Sequence, residues 1–301
     1  MFESLGTLTD LFTRPDFQAG LLAGAVGLGV LYAVSIQSPD TKWWGGVFTL
    51  AALIAINTAV GRHLGVASGL FALGAGGWLL SPDNDRRTKP LGWALVIAGA
   101  VIVGWRGGLS DIDWLPWVTP VAIVIAGASF AGWSRRLPHD LLGPMMAITA
   151  FGIWVTVPET EHARVFLGVS LPLAVATLRP FHARLSTAGS FALAGMVIWV
   201  VAIGGDARPG SIIGGWGTLG AIAILPWLRS NATARIRERP VLILGFHALF
   251  VLVASRVIGL WESAVIASLA VMFVALVAFV VIGSNTKGAT ATGQASPQGP
   301  E

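Results

Sequence analysis

STAGSFALAGMVIWVVAIG, residues 186–204, contains no charged side chain. A helix rises 1.5 Å per residue, so about 20 apolar residues cross the roughly 30 Å of hydrocarbon in a bilayer. The pattern recurs along the chain, and the recurrence decides the fold class. Apolar stretches of this kind occupy residues 17–36, 44–60, 64–80, 91–105, 116–133, 141–157, 165–178, 186–204, 211–228, 241–260 and 264–283. The expected fold is therefore all-α: a polytopic membrane helix bundle of about 11 transmembrane helices. The stretches 91–105 and 165–178 are short for this task and leave little room for tilt.

Composition agrees. The chain is 54% hydrophobic and 11% charged, with a mean hydropathy of +0.75, too apolar to cover a 301-residue soluble protein with polar surface. Its 38 Gly and 13 Trp fit membrane helices and their headgroup borders. With no Cys, disulfides, thiolate chemistry and Cys-based metal sites are excluded. A pI near 10.3 raises the question of nucleic acid, but the net charge is only +4 and the cations are scattered over short turns, so no nucleic-acid partner is expected. Residues 1–16 carry acids rather than a basic leader, and Phe2, Leu5, Leu8, Leu11 and Phe12 recur at helical spacing, as in a segment lying along an interface. No turn is long enough for a soluble domain. The expectation is one transmembrane domain over 1–283 and a small, polar, disordered tail over 284–301.

Basic residues set the expected orientation. Lys42, Arg86, Arg87, Lys89, Arg135, Arg136, Arg179, Arg184, Arg229, Arg235, Arg237, Arg239 and Lys287 fall on one side; Arg14, Arg62, Arg106, Arg164 and Arg208 fall on the other. The richer side is expected in the cytoplasm of a cell-membrane protein, with the N-terminus outside and the C-terminus inside. Small residues four apart, such as Gly20 and Gly24, Ala25 and Gly29, Gly65 and Gly69, Ala72 and Gly76, and Ala100 and Gly104, allow close helix approach.

A shift near 120 residues aligns uncommon marks: Val47-Phe48 with Val165-Phe166, His63 with His182, Phe71-Ala72-Leu73 with Phe191-Ala192-Leu193, Lys89-Pro90 with Arg208-Pro209, and Ser134-Arg135 with Ser255-Arg256. This pairs residues 44–157 with 165–283. Each unit holds an odd number of spans, so the second must enter from the opposite side, as in inverted-repeat transporters. Regular helix spacing of about 24 residues also produces such a shift without duplication. It does not explain Lys-Pro on one side matching Arg-Pro on the other.

The repeat gives a reading of FVLVASRVIGLWES, residues 250–263, where Arg256 interrupts an apolar run. Arg135 ends its helix on the basic side, and inversion carries its counterpart Arg256 to the opposite surface. Arg256 lies about four residues, or roughly 6 Å, from the end of its span, close enough to snorkel and form a structural charge pair with Glu262. His247 lies deeper and is a candidate to meet substrate, as is Asn57 in LIAINTAVG, whose amide is expected to donate across a helix interface. The ordinary alternative for His247 is a neutral ring bonded to a neighbouring helix. Pro144, Pro172 and Pro226 are kink candidates, while Pro120 is placed in a first turn.

Chemistry in the turns is thin. Asp111 and Asp113 have a spacing that could chelate a divalent ion, and Glu159, Glu161 and His162 stand together, but a metal there needs further ligands from elsewhere in the fold. No catalytic or nucleotide-binding motif is present, so neither an enzyme nor a cofactor is expected, and no metal site is assigned. Three readings follow. The first is a small secondary transporter or exporter built from inverted five-helix repeats, with lipid bilayer and a small-molecule substrate as partners. The second is a structural or assembly subunit binding partner helices or lipid. The third is an intramembrane transferase resting on Asp111 and Asp113. The oligomeric state is not legible.

Overall fold

The computed structural model describes residues 9–109, 113–136, 139–156, 160–178 and 181–204, together with Ala248 and Val251. Among these residues the chain is helical and forms no strand beyond an isolated antiparallel bridge between Trp43 and Leu185. The helices are α1 Pro15–Gln37, α2 Trp44–Ala59, α3 Leu64–Leu79, α4 Lys89–Arg106, α5 Leu115–Arg136, α6 His139–Thr156, α7 Glu161–Val175 and α8 Thr187–Gly204; a 3-10 turn, Arg86–Thr88, leads into α4. Among the described residues three segments, Pro15–Gln37, Arg86–Arg106 and Leu115–Gly132, are long and apolar enough to cross a membrane.

These bounds follow the apolar runs closely, with two instructive departures. The run at 91–105, expected to be short, is extended to 21 residues by the 3-10 turn before it. Asp85 caps that turn by accepting from Arg87 N, and Lys89 Nζ folds back onto the Leu80 carbonyl at 3.1 Å, so its polar start is satisfied locally. Helix α7 starts at Glu161, ahead of the apolar run at Val165. Its first turn holds His162 and Arg164, whose side chains find partners on other elements.

Helix α8 organises the bundle. Every residue from Gly189 to Ala202 is buried, and α2, α3 and α5 pack around it, with smaller contacts from α4 and α7. A helix apolar on all sides has no solvent face and belongs at a core. Its Ser190 hydroxyl donates to the Ser186 carbonyl, and Thr49, Thr119 and Thr149 likewise donate to carbonyls four residues back in their own helices. Polar side chains are thus satisfied without leaving the helix.

Close approach depends on glycine. Helices α1 and α7 meet with Gly20 and Gly24 against the backbone of Val165 and Val169, and with Gly168 against Phe17 O from the other side. Helices α3 and α4 meet reciprocally: a Cβ on Gly99 would stand 2.7 Å from Gly69 O, and one on Gly76 would stand 2.7 Å from Gly92 O. Of the small-residue pairs read from sequence, Gly20/Gly24 and Gly65/Gly69 lie in such contacts, whereas Gly29 has nothing within 4 Å. Pro120 is inside α5 rather than in its first turn, because the helix already begins at Leu115. Pro120 has no N–H for the Pro116 carbonyl, and Gly104 packs against that oxygen, 2.8 Å from where its Cβ would be. Pro144 and Pro172 are also within helices, and Pro226 lies outside the described residues.

The helices run alternately up and down, which sorts the connections to two ends. At one end Lys42 Nζ is 3.8 Å from Asp83, and Arg184 pairs with Asp40 at 3.0 Å while its N–H donates to Thr41 O. At the other lie Asp16, His63, Arg106, His162 and Arg164. Between the ends the outward faces are hydrocarbon: Leu22, Val26, Ile97, Val101, Val121 and Ile125 are all exposed. Exposed apolar side chains in such number, among the described residues, suit an apolar partner.

Valine at Gly168 should force α1 and α7 apart at a cost of about 1–3 kcal/mol. Thermal unfolding of the purified chain in detergent should show a clear drop for Gly168→Val and none for Gly29→Val. Equal melting of the two variants would contradict the packing described.

Candidate functional site

The connection from α2 to α3 is short, and Asn57 shapes it. Its amide nitrogen donates to Leu53 O at 2.8 Å, and its Oδ1 accepts from the His63 backbone N–H at 2.7 Å. The expected donation across a helix interface is not what the structure shows: both amide functions act locally, because α2 ends at Ala59, two residues on, and the His63 N–H at the start of α3 needs an acceptor. Asn57 thereby holds His63 at the start of α3.

From there His63 reaches α7. Its Nε2 is 3.3 Å from His162 Nε2. Trp199 of α8 stands edge-on to both rings, with centroids 5.0 Å from His63 and 5.4 Å from His162. The Trp199 indole N–H donates to Gly107 O at 2.9 Å, where the chain leaves α4 through Gly108 at φ +74, a left-handed conformation that suits glycine. Three helix ends and the central helix are thus joined by one cluster. His162 is 8% exposed and Trp199 fully buried.

A second polar contact flanks it. Arg164 Nε lies 2.6 Å from Asp16 Oδ2, and Asp16 Oδ1 accepts from Phe17 N at 2.8 Å. Both side chains are largely buried, 13% and 8% exposed. Removing either partner would leave a buried charge alone, which is the costly way to break such a pair.

The other feature of note is a groove of about 810 Å³ between α2 and α3, floored by Gly189 and Ala192 of α8. Its walls are apolar, with Leu50, Leu53, Leu70 and Phe71, of which Leu50 and Phe71 are exposed, and its Lys42 end carries Trp43, Trp78, Lys42 and Asp83. Gly46 and Gly74 leave its walls open: a Cβ on Gly46 would meet nothing within 4 Å, and one on Gly74 only Ala192. Asn57 is not among the lining residues.

Of the residues singled out in sequence, Asn57 and His162 come within reach of one site, joined through His63. His63 stood out only as a mark of the repeat, and nothing local distinguishes it. Asp113 and Glu161 are exposed. His247, Arg256, Glu262, Asp111 and Glu159 lie outside the described residues. Among the described residues no group of three or more His, Asp or Glu gathers. The Asp16–Arg164 pair, 148 residues apart, carries no sequence signal.

Both histidines sit at the end of the bundle, ahead of the apolar runs, and both are held toward the neutral form. Burial lowers the pKa of His63. Burial, then the nearby charge of His63, brings His162 from its ordinary 6.5 down to about 4. The unfolded chain therefore takes up a proton that the folded chain refuses, so this contribution to stability is full above 6.5 and is lost as pH falls toward 4. In EDTA, the melting temperature should decline over that interval, and His162→Gln should flatten the decline. An equally steep decline in the variant would place the titration elsewhere.

No protein-family model matches the chain, and no curated protein matches it.

Proposed function

We propose that the chain is a multi-pass cell-membrane protein and a small secondary transporter, whose groove between α2 and α3 receives an amphiphilic small molecule. The outward hydrocarbon of α1, α4 and α5 and the three long apolar helices support the membrane setting. So does the sorting of charge. Lys42, Arg86, Arg87, Lys89 and Arg184 lie at the Lys42 end, and Arg14, Arg62, Arg106 and Arg164 at the histidine end. The Lys42 end is then cytoplasmic, the N-terminus outside and the C-terminus inside. Eleven spans remain the reading for the whole chain.

Inverted five-helix units are supported by the core. Helix α2 runs antiparallel against α7, with the Trp44 indole donating to Leu173 O, and α3 runs antiparallel against α8. Phe48 and Phe166, aligned by the repeat, touch each other with ring centroids 5.3 Å apart. Residues equivalent under an inverted repeat are expected to meet near its axis.

The observation that carries transport is a difference between the halves. Helix α7 touches α8 along a short contact, whereas α2 and α3, their counterparts, stand apart over the groove. Inverted units in unlike states open a site to one side only. Here the groove runs from the Lys42 turn toward Leu53 and Ala67, and the histidine–tryptophan cluster joins the helix ends beyond it. Apolar walls with Lys42 and Asp83 at the rim suit a molecule with a hydrocarbon body and a polar head.

Reconstituted into liposomes, the chain should move fluorescent amphiphiles. Gly46→Trp and Gly74→Trp, which fill the groove, should each cut flux about tenfold or more, with Gly29→Trp unaffected. Folded protein that moves no member of a cationic, anionic and neutral amphiphile panel would contradict the reading. A partner helix crosslinked in the groove in native membrane would instead favour an assembly subunit, which the small, open surface at Gly46 and Gly74 also suits.

A further inference from the structure

The Nε2 atoms of the histidine pair, within hydrogen-bond reach of each other, also stand at the separation of two ligands of one ion. Two ligands of one tetrahedral ion, each about 2.0–2.1 Å from it, stand about 3.3 Å apart. His63 Nε2 and His162 Nε2 are 3.3 Å apart. The turn that presents His63 is held by Asn57, and His162 is fixed in the first turn of α7. Neither nitrogen is claimed by Trp199, whose N–H is spent on Gly107 O. Gly61 flanks the pair: a Cβ there would stand 3.9 Å from His63 Nε2 and would meet nothing else within 4 Å.

We propose that His63 and His162 bind a divalent transition-metal ion of the Zn²⁺ or Cu²⁺ class through their Nε2 atoms, at the end of the bundle opposite the Lys42 turn. Imidazole nitrogens select such ions over Mg²⁺ and Ca²⁺, which prefer oxygen. No third His, Asp or Glu joins them among the described residues, so water completes the coordination, and the ion is held less tightly than in a closed four-ligand site. Each ring then carries its proton on Nδ1, leaving both Nε2 lone pairs for the ion. The bound ion ties the turn at 60–63 to α7 and thereby secures that end. This inference is independent of transport.

The test is Cu²⁺ binding to the tag-free full chain in detergent, followed by electron paramagnetic resonance and competition with a chelator of known affinity. One ion per chain should show hyperfine structure from two imidazole nitrogens. His63→Gln and His162→Gln should each weaken binding tenfold or more and remove the two-nitrogen signature, and Zn²⁺ should raise the melting temperature of the unmodified chain but of neither variant. Gly61→Phe, which crowds the pair while keeping both ligands, should also weaken binding, and it serves if a histidine variant fails to fold. Absence of bound copper in the unmodified chain, or retention of the two-nitrogen signature in the substituted chains, would overturn the proposal.

Discussion

The bundle depends on the burial of α8 from every side. A helix with no free face must be met on each by a neighbour, and in an apolar medium those neighbours are held by dispersion and backbone proximity rather than by expelling water. The same constraint explains why glycine is placed where it is: Gly69 against Gly99, Gly76 against Gly92, and Gly45 against Gly189, where a Cβ on Gly45 would stand 2.8 Å from the facing Cα. It also explains why charge is pushed outward. Helix α8 carries none, and the ion pairs described all sit at the bundle's ends.

The two ends are built differently. At the Lys42 end the pairs are exposed, Lys42 and Asp83 at 62% and 77%, and contribute little. At the other end Asp16, His162 and Trp199 are buried and Arg164 largely so, and their contacts join α1, α4, α7 and α8. The groove between α2 and α3 runs from the Lys42 turn, where the ion pairs are exposed, toward the end held by the buried contacts. The proposed transport and the proposed metal clamp both draw on this asymmetry.

The apolar runs made the helices legible because, for a helix in hydrocarbon, composition alone decides length. Helix bounds departed from the runs where polar residues found distant partners, as His162 and Arg164 do in the first turn of α7. The candidate site was less legible for the same reason. Asn57 was visible as a polar residue in an apolar stretch, but its local capping role depends on where α2 ends. His63 meets His162 across 99 positions, and no periodicity records such a meeting. Glu159, Glu161 and His162 were read as lacking a ligand from elsewhere; the fold brings His63 to His162 while Glu161 faces out.

The central claim is that these helices cross a bilayer with the Lys42 turn and the His63 turn on opposite sides. The chain has no cysteine, so single cysteines report position without background. Cysteines at Asp83 and Arg62, probed in intact cells with a membrane-impermeant maleimide, test it most directly. The account predicts labelling at Arg62 and none at Asp83 until the cells are broken. Labelling of both sites in intact cells, or of Asp83 alone, would contradict it.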